Sequence, residues 1–210
     1  MCSILHKNII LVNNNFFIHY SKKLGRQLFI CYDISFNQIK SAQHYRKNYK
    51  RDIRLDNNNI YQLDPQSKIF TNNWTRGHLC PSFLMSHDKS TYLMSNIIPQ
   101  HVQFNTNIWK KLELDTYNII KEYNKPTRII VGAFNYNYNK LFTQYDTNDN
   151  STDNIWIDKD KNFKYIIPNI IYQIVIIDTK KICHIGLNSN IPKVYPIPYG
   201  ILVNLLSNIK

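Results

Sequence analysis

The chain has 210 residues, 43% of them hydrophobic and 13% aromatic, which suits one domain with a sizeable core and excludes a disordered polyelectrolyte. Its 26 Lys and Arg outnumber 14 Asp and Glu, and the net charge of +12 concentrates polyanions at the surface, nucleic acid being the obvious one. No basic amphipathic helix or long apolar run stands out, which argues against a membrane role.

Cys2, Cys31, Cys80 and Cys183 are scattered without a C-x-x-C pair, so a zinc site built from cysteines is not expected. Free thiols point to an intracellular, reducing compartment. The run Ile9 to Val12 is too short and too polar in its flanks to be a signal peptide.

In chain order, Ile9 to Val12 and Phe16 to Ile18 predict two strands with a turn at Asn13 to Asn15. Gln27 to Ile34, short and rich in aromatic and branched residues, predicts a buried strand. A basic segment follows, from Gln43 to Arg54, in which Arg46, Lys47, Lys50, Arg51 and Arg54 interleave with Tyr45 and Tyr49. Leu63 to Gln66 and Asn72-Asn73 are loop signals.

The organising stretch begins at Trp74 with W-T-R-G-H-L-C-P-S. Gly77 and Pro81 interrupt regular structure and predict a bend that presents His78 to solvent, beside the fixed cation of Arg76. An imidazole titrates near pH 6.5, so it suits a base at neutral pH. Tyr92 to Ile98 predicts a second strand, ending at Pro99 and Gln100. A helix is predicted from about Asn105 to Tyr123, with Trp109, Leu112, Thr116, Ile119, Ile120 and Tyr123 toward the core and Asn124, Lys125 and Pro126 as its stop. Asn105, Trp109 and Glu113 recur every four residues, which lines up an amide, an anchor and a carboxylate along one helical face. Further strands are predicted at Arg128 to Phe134, Ile155 to Ile157, Tyr165 to Ile177 with a turn at Pro168-Asn169, and Cys183 to Leu187 as the last. A long polar loop runs to about Asn154, and the tail with Pro192, Pro196 and Pro198 reads as irregular.

The motifs T-R-G-H-L, Y-L-M-S-N-I-I-P-Q and F-N-T-N-I-W-K-K-L-E follow one another in this chain. In that order they resemble the DNA/RNA non-specific endonucleases, ββα-metal nucleases that include endonuclease G and carry D-R-G-H-L, Y-L-S-N-x-x-P-Q and L-N-x-x-x-W-x-x-L-E. The resemblance implies an α+β, ββα-metal fold, an antiparallel sheet core with a metal-bearing helix, as a single domain over residues 1–210. It implies a metal-dependent endonuclease that hydrolyses DNA and RNA with little sequence preference. His78 would be the general base, Asn105 the direct ligand of a hydrated Mg2+ (Mn2+ as a substitute), and Glu113 the grip on one of its waters. Arg76 would steady the phosphate or the active-site loop. In the family's R-x-x-F-x-x-D segment an arginine reaches phosphate, and Arg46, followed by Tyr49 and Asp52, matches that spacing. Asn96 and Gln100 would orient the loop or touch the sugar-phosphate backbone, and homodimers are common in the family.

Two positions depart from the pattern. The acidic residue before R-G-H is Thr75 here, as a small hydroxyl residue is in some relatives, and a position where some members carry Arg is Tyr117. Phosphate contacts would then fall to Arg46, Arg51 or Lys110. Two alternatives remain open on sequence: a catalytically inactive nucleic-acid-binding protein on the same fold, and an interaction protein whose basic surface meets an acidic partner.

Overall fold

Strands with branched and aromatic residues at alternate positions build a seven-stranded antiparallel sheet, which a computed structural model describes over residues 8–40, 48–70, 73–85, 88–136 and 154–208. Its strands are β1 (Asn8–Val12), β2 (Phe16–Ser21), β3 (Arg26–Ile34), β6 (Thr127–Phe134), β9 (Ile170–Ile177), β10 (Lys180–Leu187) and β11 (Val194–Pro196), in that spatial order. Between β3 and β6 in the chain lie the short helices α1 (Phe36–Lys40) and α2 (Ile53–Asp56), then a two-stranded ribbon of β4 (Trp74–His78) and β5 (Ile97–His101). A long helix, α3 (Lys110–Tyr123), follows the ribbon. A separate hairpin, β7 (Ile155–Asp158) and β8 (Phe163–Ile166), precedes β9.

The period of two along the strands decides which layer packs where. Ile171 and Val175 of β9 join Ile30, Tyr32, Ile129 and Val131 against Leu79, Ile98, Phe104, Trp109 and Ile120, so the ribbon and α3 cover one sheet face. Ile170, Tyr172 and Ile174 point the other way, toward Leu202 and Leu205 of the C-terminal helix α4 (Tyr199–Ser207). The chain is therefore an α+β fold in which the ββα unit rests on the sheet. Gly186 of β10 makes this contact close, because a Cβ there would press into the rings of Phe104 and Trp109.

The first two strands, the strand at Gln27 to Ile34 and the strands on either side of Pro168-Asn169 form as the sequence predicts. Three elements differ. The segment expected as a strand from Tyr92 opens instead as 3-10 turns over Lys89–Tyr92 and Met94–Asn96, and β5 starts only at Ile97. Local bonds win there: Asp88 caps Ser90 through its side chain, and the Asn96 N–H donates to the Leu93 carbonyl. Tyr123 faces solvent rather than the core, and its hydroxyl accepts from Lys180. The proline-bearing tail expected as irregular forms β11, and the short apolar end after it, Ile201 to Leu206, lies in α4 with Leu202 and Leu205 buried. The predicted loop to Asn154 lies mostly outside the described residues.

Candidate active site

β4 and β5 pair with Thr75 opposite Gln100, Gly77 opposite Ile98 and His78 opposite Ile97. Gly77 is required by packing: a Cβ there would collide with the Gln100 side chain, which lies across the strand. Arg76 and His78 project to the face opposite Thr75 and Gly77. Both meet Tyr49, the Arg76 guanidinium at 5.5 Å from the ring centre and the imidazole at 5.6 Å.

His78 sits between two aromatic rings. Tyr49 lies tilted against it and Tyr92 edge-on, with centroids 5.3 Å apart. Its Nε2 is sealed from solvent with no hydrogen-bond partner among the described residues. Burial pushes the imidazole down to about 4, the direction expected when a cation loses its water. The bend after β4 thus leaves His78 half-buried rather than fully presented to solvent, and it does not titrate near the expected 6.5. The cause is the pair of tyrosines, which the strand and the basic segment bring together: the Lys50 N–H donates to the Tyr92 carbonyl and the Met94 N–H to the Lys50 carbonyl.

Asn105 lies not in regular α-helix but in a π-helical turn, Phe104–Trp109, that leads into α3. Such turns are rare and often mark functional sites. Its Nδ2 donates to Thr75 Oγ1 at 2.9 Å, and Thr75 Oγ1 donates to the Gln100 carbonyl at 3.0 Å. Trp109 is 1% exposed and stacks on Phe104 with centroids 5.1 Å apart, anchoring the turn to the core. Glu113 follows one turn later, and burial pushes its carboxyl up to about 8. The same carboxylate acts electrostatically on Cys80, two residues beyond His78, and on Tyr32. The π turn thus meets β4 at Thr75 through Asn105.

The remaining predicted residues divide clearly. Arg76 donates through Nε to the Pro65 carbonyl at 3.0 Å and lies 4.6 Å over the Phe70 ring, so it fastens the loop ahead of β4. Asn96 is fully buried: its Oδ1 accepts from the Cys80 N–H and its Nδ2 donates to the Cys80 and Thr91 carbonyls. Gln100 is buried too, with both side-chain amide atoms lacking a protein partner. Asn96 thus holds the backbone that carries the site, whereas the Gln100 side chain packs across the strand at Gly77. Arg51, weighed as a phosphate contact, is instead bound to Asp56 and Asp64. Arg46 lies outside the described residues, while Asp52 of the same segment caps α2 and accepts from Ser95 Oγ at 2.6 Å. Although burial works against its charge, hydrogen bonds from Arg54 and Ser95 hold the Asp52 carboxyl below the usual range.

Sequence reasoning passed over Tyr92 and gave Thr75 only as a departure. Both touch the site, and nothing in residue type alone marked them. A cavity of about 420 Å³ also opens beside Tyr92, lined by Asn48, Lys50, Lys89, Ser90, Tyr92 and Leu93.

The family model for DNA/RNA non-specific endonucleases matches residues 3–194. The chain belongs to this family. No curated protein matches it significantly. The fold of this non-specific endonuclease is similar, with a TM-score of 0.60 and 14% identity over 94% of its own chain and 83% of the other, to a chain in the crystal structure of the EndoG/EndoGI complex. The likeness is one of fold.

The divalent metal that this endonuclease family implies can be tested against the side chains. Among the described residues no three His, Cys, Asp or Glu side chains group as metal ligands, and Cys31, Cys80 and Cys183 are free and buried. A hydrated Mg2+ asks less of the protein, and Asn105 fits that demand: its Nδ2 is spoken for by Thr75, and its Oδ1 makes no hydrogen bond within the described protein.

Proposed function

We propose that this endonuclease hydrolyses phosphodiester bonds of DNA and RNA with little sequence preference, His78 Nδ1 being the general base that takes the proton of the attacking water. The observation that carries this reading is a half-buried imidazole with a sealed, unpartnered Nε2 at the end of the strand that Asn105 meets through Thr75. With Nε2 enclosed, Nδ1 is the nitrogen that would receive the proton. Enclosure also keeps the ring neutral across physiological pH, so it always stands ready to accept. A phosphodiester anion arriving beside it raises its proton affinity, which brings a base that is weak in the free protein toward working strength.

Asn105 Oδ1 and the Glu113 carboxylate would hold Mg2+, or Mn2+ in its place, and the ion would supply charge neutralisation at the phosphate and leaving oxygen. In the metal-free protein burial keeps Glu113 protonated near neutral pH. Arg76 acts by holding the Pro65 loop in place. Backbone contacts are supplied by the basic surface, with Lys50 and Lys89 beside the Tyr92 cavity and Lys110 exposed at the start of α3. Contacts of this kind read phosphate rather than base edges, which accounts for weak sequence preference.

The test compares the wild type with His78→Ala and Asn105→Ala on supercoiled plasmid and on RNA, in Mg2+ and in EDTA. The reading expects nicking by the wild type in Mg2+ only, reduced about 10²–10⁴-fold in His78→Ala. Salt-sensitive binding without cleavage would favour the inactive nucleic-acid-binding alternative. Equal nicking by all the proteins would remove the site assignment.

A further inference from the structure

We propose that Thr75 is the positioning residue for Asn105: its hydroxyl fixes which end of the carboxamide faces the strand and so turns Oδ1 toward a divalent cation. This rests on the reading of Asn105 as the metal ligand.

The argument is one of hydrogen-bond direction. A threonine hydroxyl has a single proton. Here that proton is given to the Gln100 carbonyl at 3.0 Å, and the carbonyl's position is set by the ladder, since Thr75 and Gln100 are partners across β4 and β5. The hydroxyl oxygen is then left with lone pairs only. It is met at 2.9 Å by the Asn105 carboxamide. Only the NH2 end satisfies that contact; a flipped amide would set its oxygen against lone pairs with no proton between them. The relay from strand to hydroxyl to amide therefore has one consistent orientation, and in it Oδ1 is the end left over. Asn105 sits in the π turn, and its amide is held from the strand through Thr75.

The same geometry explains why a hydroxyl serves in place of the acidic residue usual at this position. A carboxylate at 75 would accept from Nδ2 equally well, but would stand against the Gln100 carbonyl with no proton to share. Thr75 satisfies both neighbours and adds no charge beside the ligand.

The experiment measures Mn2+ binding by electron paramagnetic resonance, and the Mn2+ dependence of plasmid nicking, for wild type, Thr75→Val, Thr75→Ala, Thr75→Ser and Asn105→Ala, with thermal melts as a check on folding. Loss of an outer partner of a metal ligand typically weakens affinity about 10–100-fold, and that loss is expected for Thr75→Val and Thr75→Ala. Thr75→Ser should bind as wild type, and nicking by Thr75→Val should recover at saturating Mn2+. Wild-type affinity in folded Thr75→Val or Thr75→Ala, alongside lost affinity in Asn105→Ala, overturns the Thr75 role and leaves Asn105 as ligand. Wild-type affinity in Asn105→Ala overturns both. Thr75→Ala gives the same decision should the valine variant not fold.

Discussion

The two ends of β4 are held by opposite kinds of chemistry. At Thr75 the contacts are polar and directional, running from the Gln100 carbonyl through a hydroxyl to the Asn105 amide. Three residues on, at His78, the ring is gripped by Tyr49 and Tyr92 and its Nε2 is left without a partner. The difference matches what each group has to do. A metal ligand must aim one atom, and hydrogen bonds aim; a base must stay neutral, and low-dielectric packing disfavours its charged form. Glu113 belongs with the second end: burial holds it neutral until charge arrives.

The largest blow to both ends together should come from the anchor they share. Trp109→Ala removes the buried ring that stacks on Phe104 and lies over Gly186, and it loosens the turn that carries Asn105. We expect a loss of about 3–5 kcal/mol in urea unfolding. A loss under about 1 kcal/mol would show that the turn is held by something other than this anchor.

A smaller effect sharpens the electrostatic side of the comparison. With its folded pKa raised from 4.5 to about 8, Glu113 contributes stability that is full below 4.5 and lost as pH rises through about 8. His78, lowered from 6.5 to about 4, contributes stability that is full above 6.5 and lost as pH falls through about 4, so between 6.5 and 8 only Glu113 of this pair titrates in the folded state. In EDTA the wild type should therefore lose roughly 1–2 kcal/mol between pH 6.5 and 8, and Glu113→Gln should remove that slope. An unchanged slope in the variant would mean that the carboxyl is not enclosed.

The smallest effect probes the aromatic grip alone. Opening one side with Tyr92→Ala should raise the His78 pKa from about 4 toward 6.5, by about one unit or more, followed by NMR of the imidazole protons. No movement would assign the enclosure to other groups.

How much of this was legible beforehand varied along the same strand. The ββα order and the series of Asn105, Trp109 and Glu113 were written in spacing and residue type, because helix and strand periods constrain them locally; the bend expected at Gly77 falls instead after His78, since Gly77 stays in the β4 ladder opposite Ile98. The enclosure of His78 was not, since it depends on Tyr49 and Tyr92 arriving from segments far apart in the chain. The same is true of Asn96, whose amide serves Cys80 and Thr91. An asparagine or glutamine in a strand motif reads alike whether it faces substrate or backbone, and only tertiary contacts separate the two. The π turn was hidden because a helical pattern carries no mark of one extra residue per turn.

The central claim, that the His78 ring is the proton acceptor, is tested most directly by chemical rescue. His78→Gly leaves a slot between Tyr49 and Tyr92 for free imidazole. Plasmid nicking by that variant in Mg2+ should be very slow and should rise with added imidazole to a plateau, with an acid limb following the pKa of the added base. Wild-type nicking by His78→Gly without imidazole would contradict the account, as would a folded, DNA-binding variant that no concentration of imidazole restores.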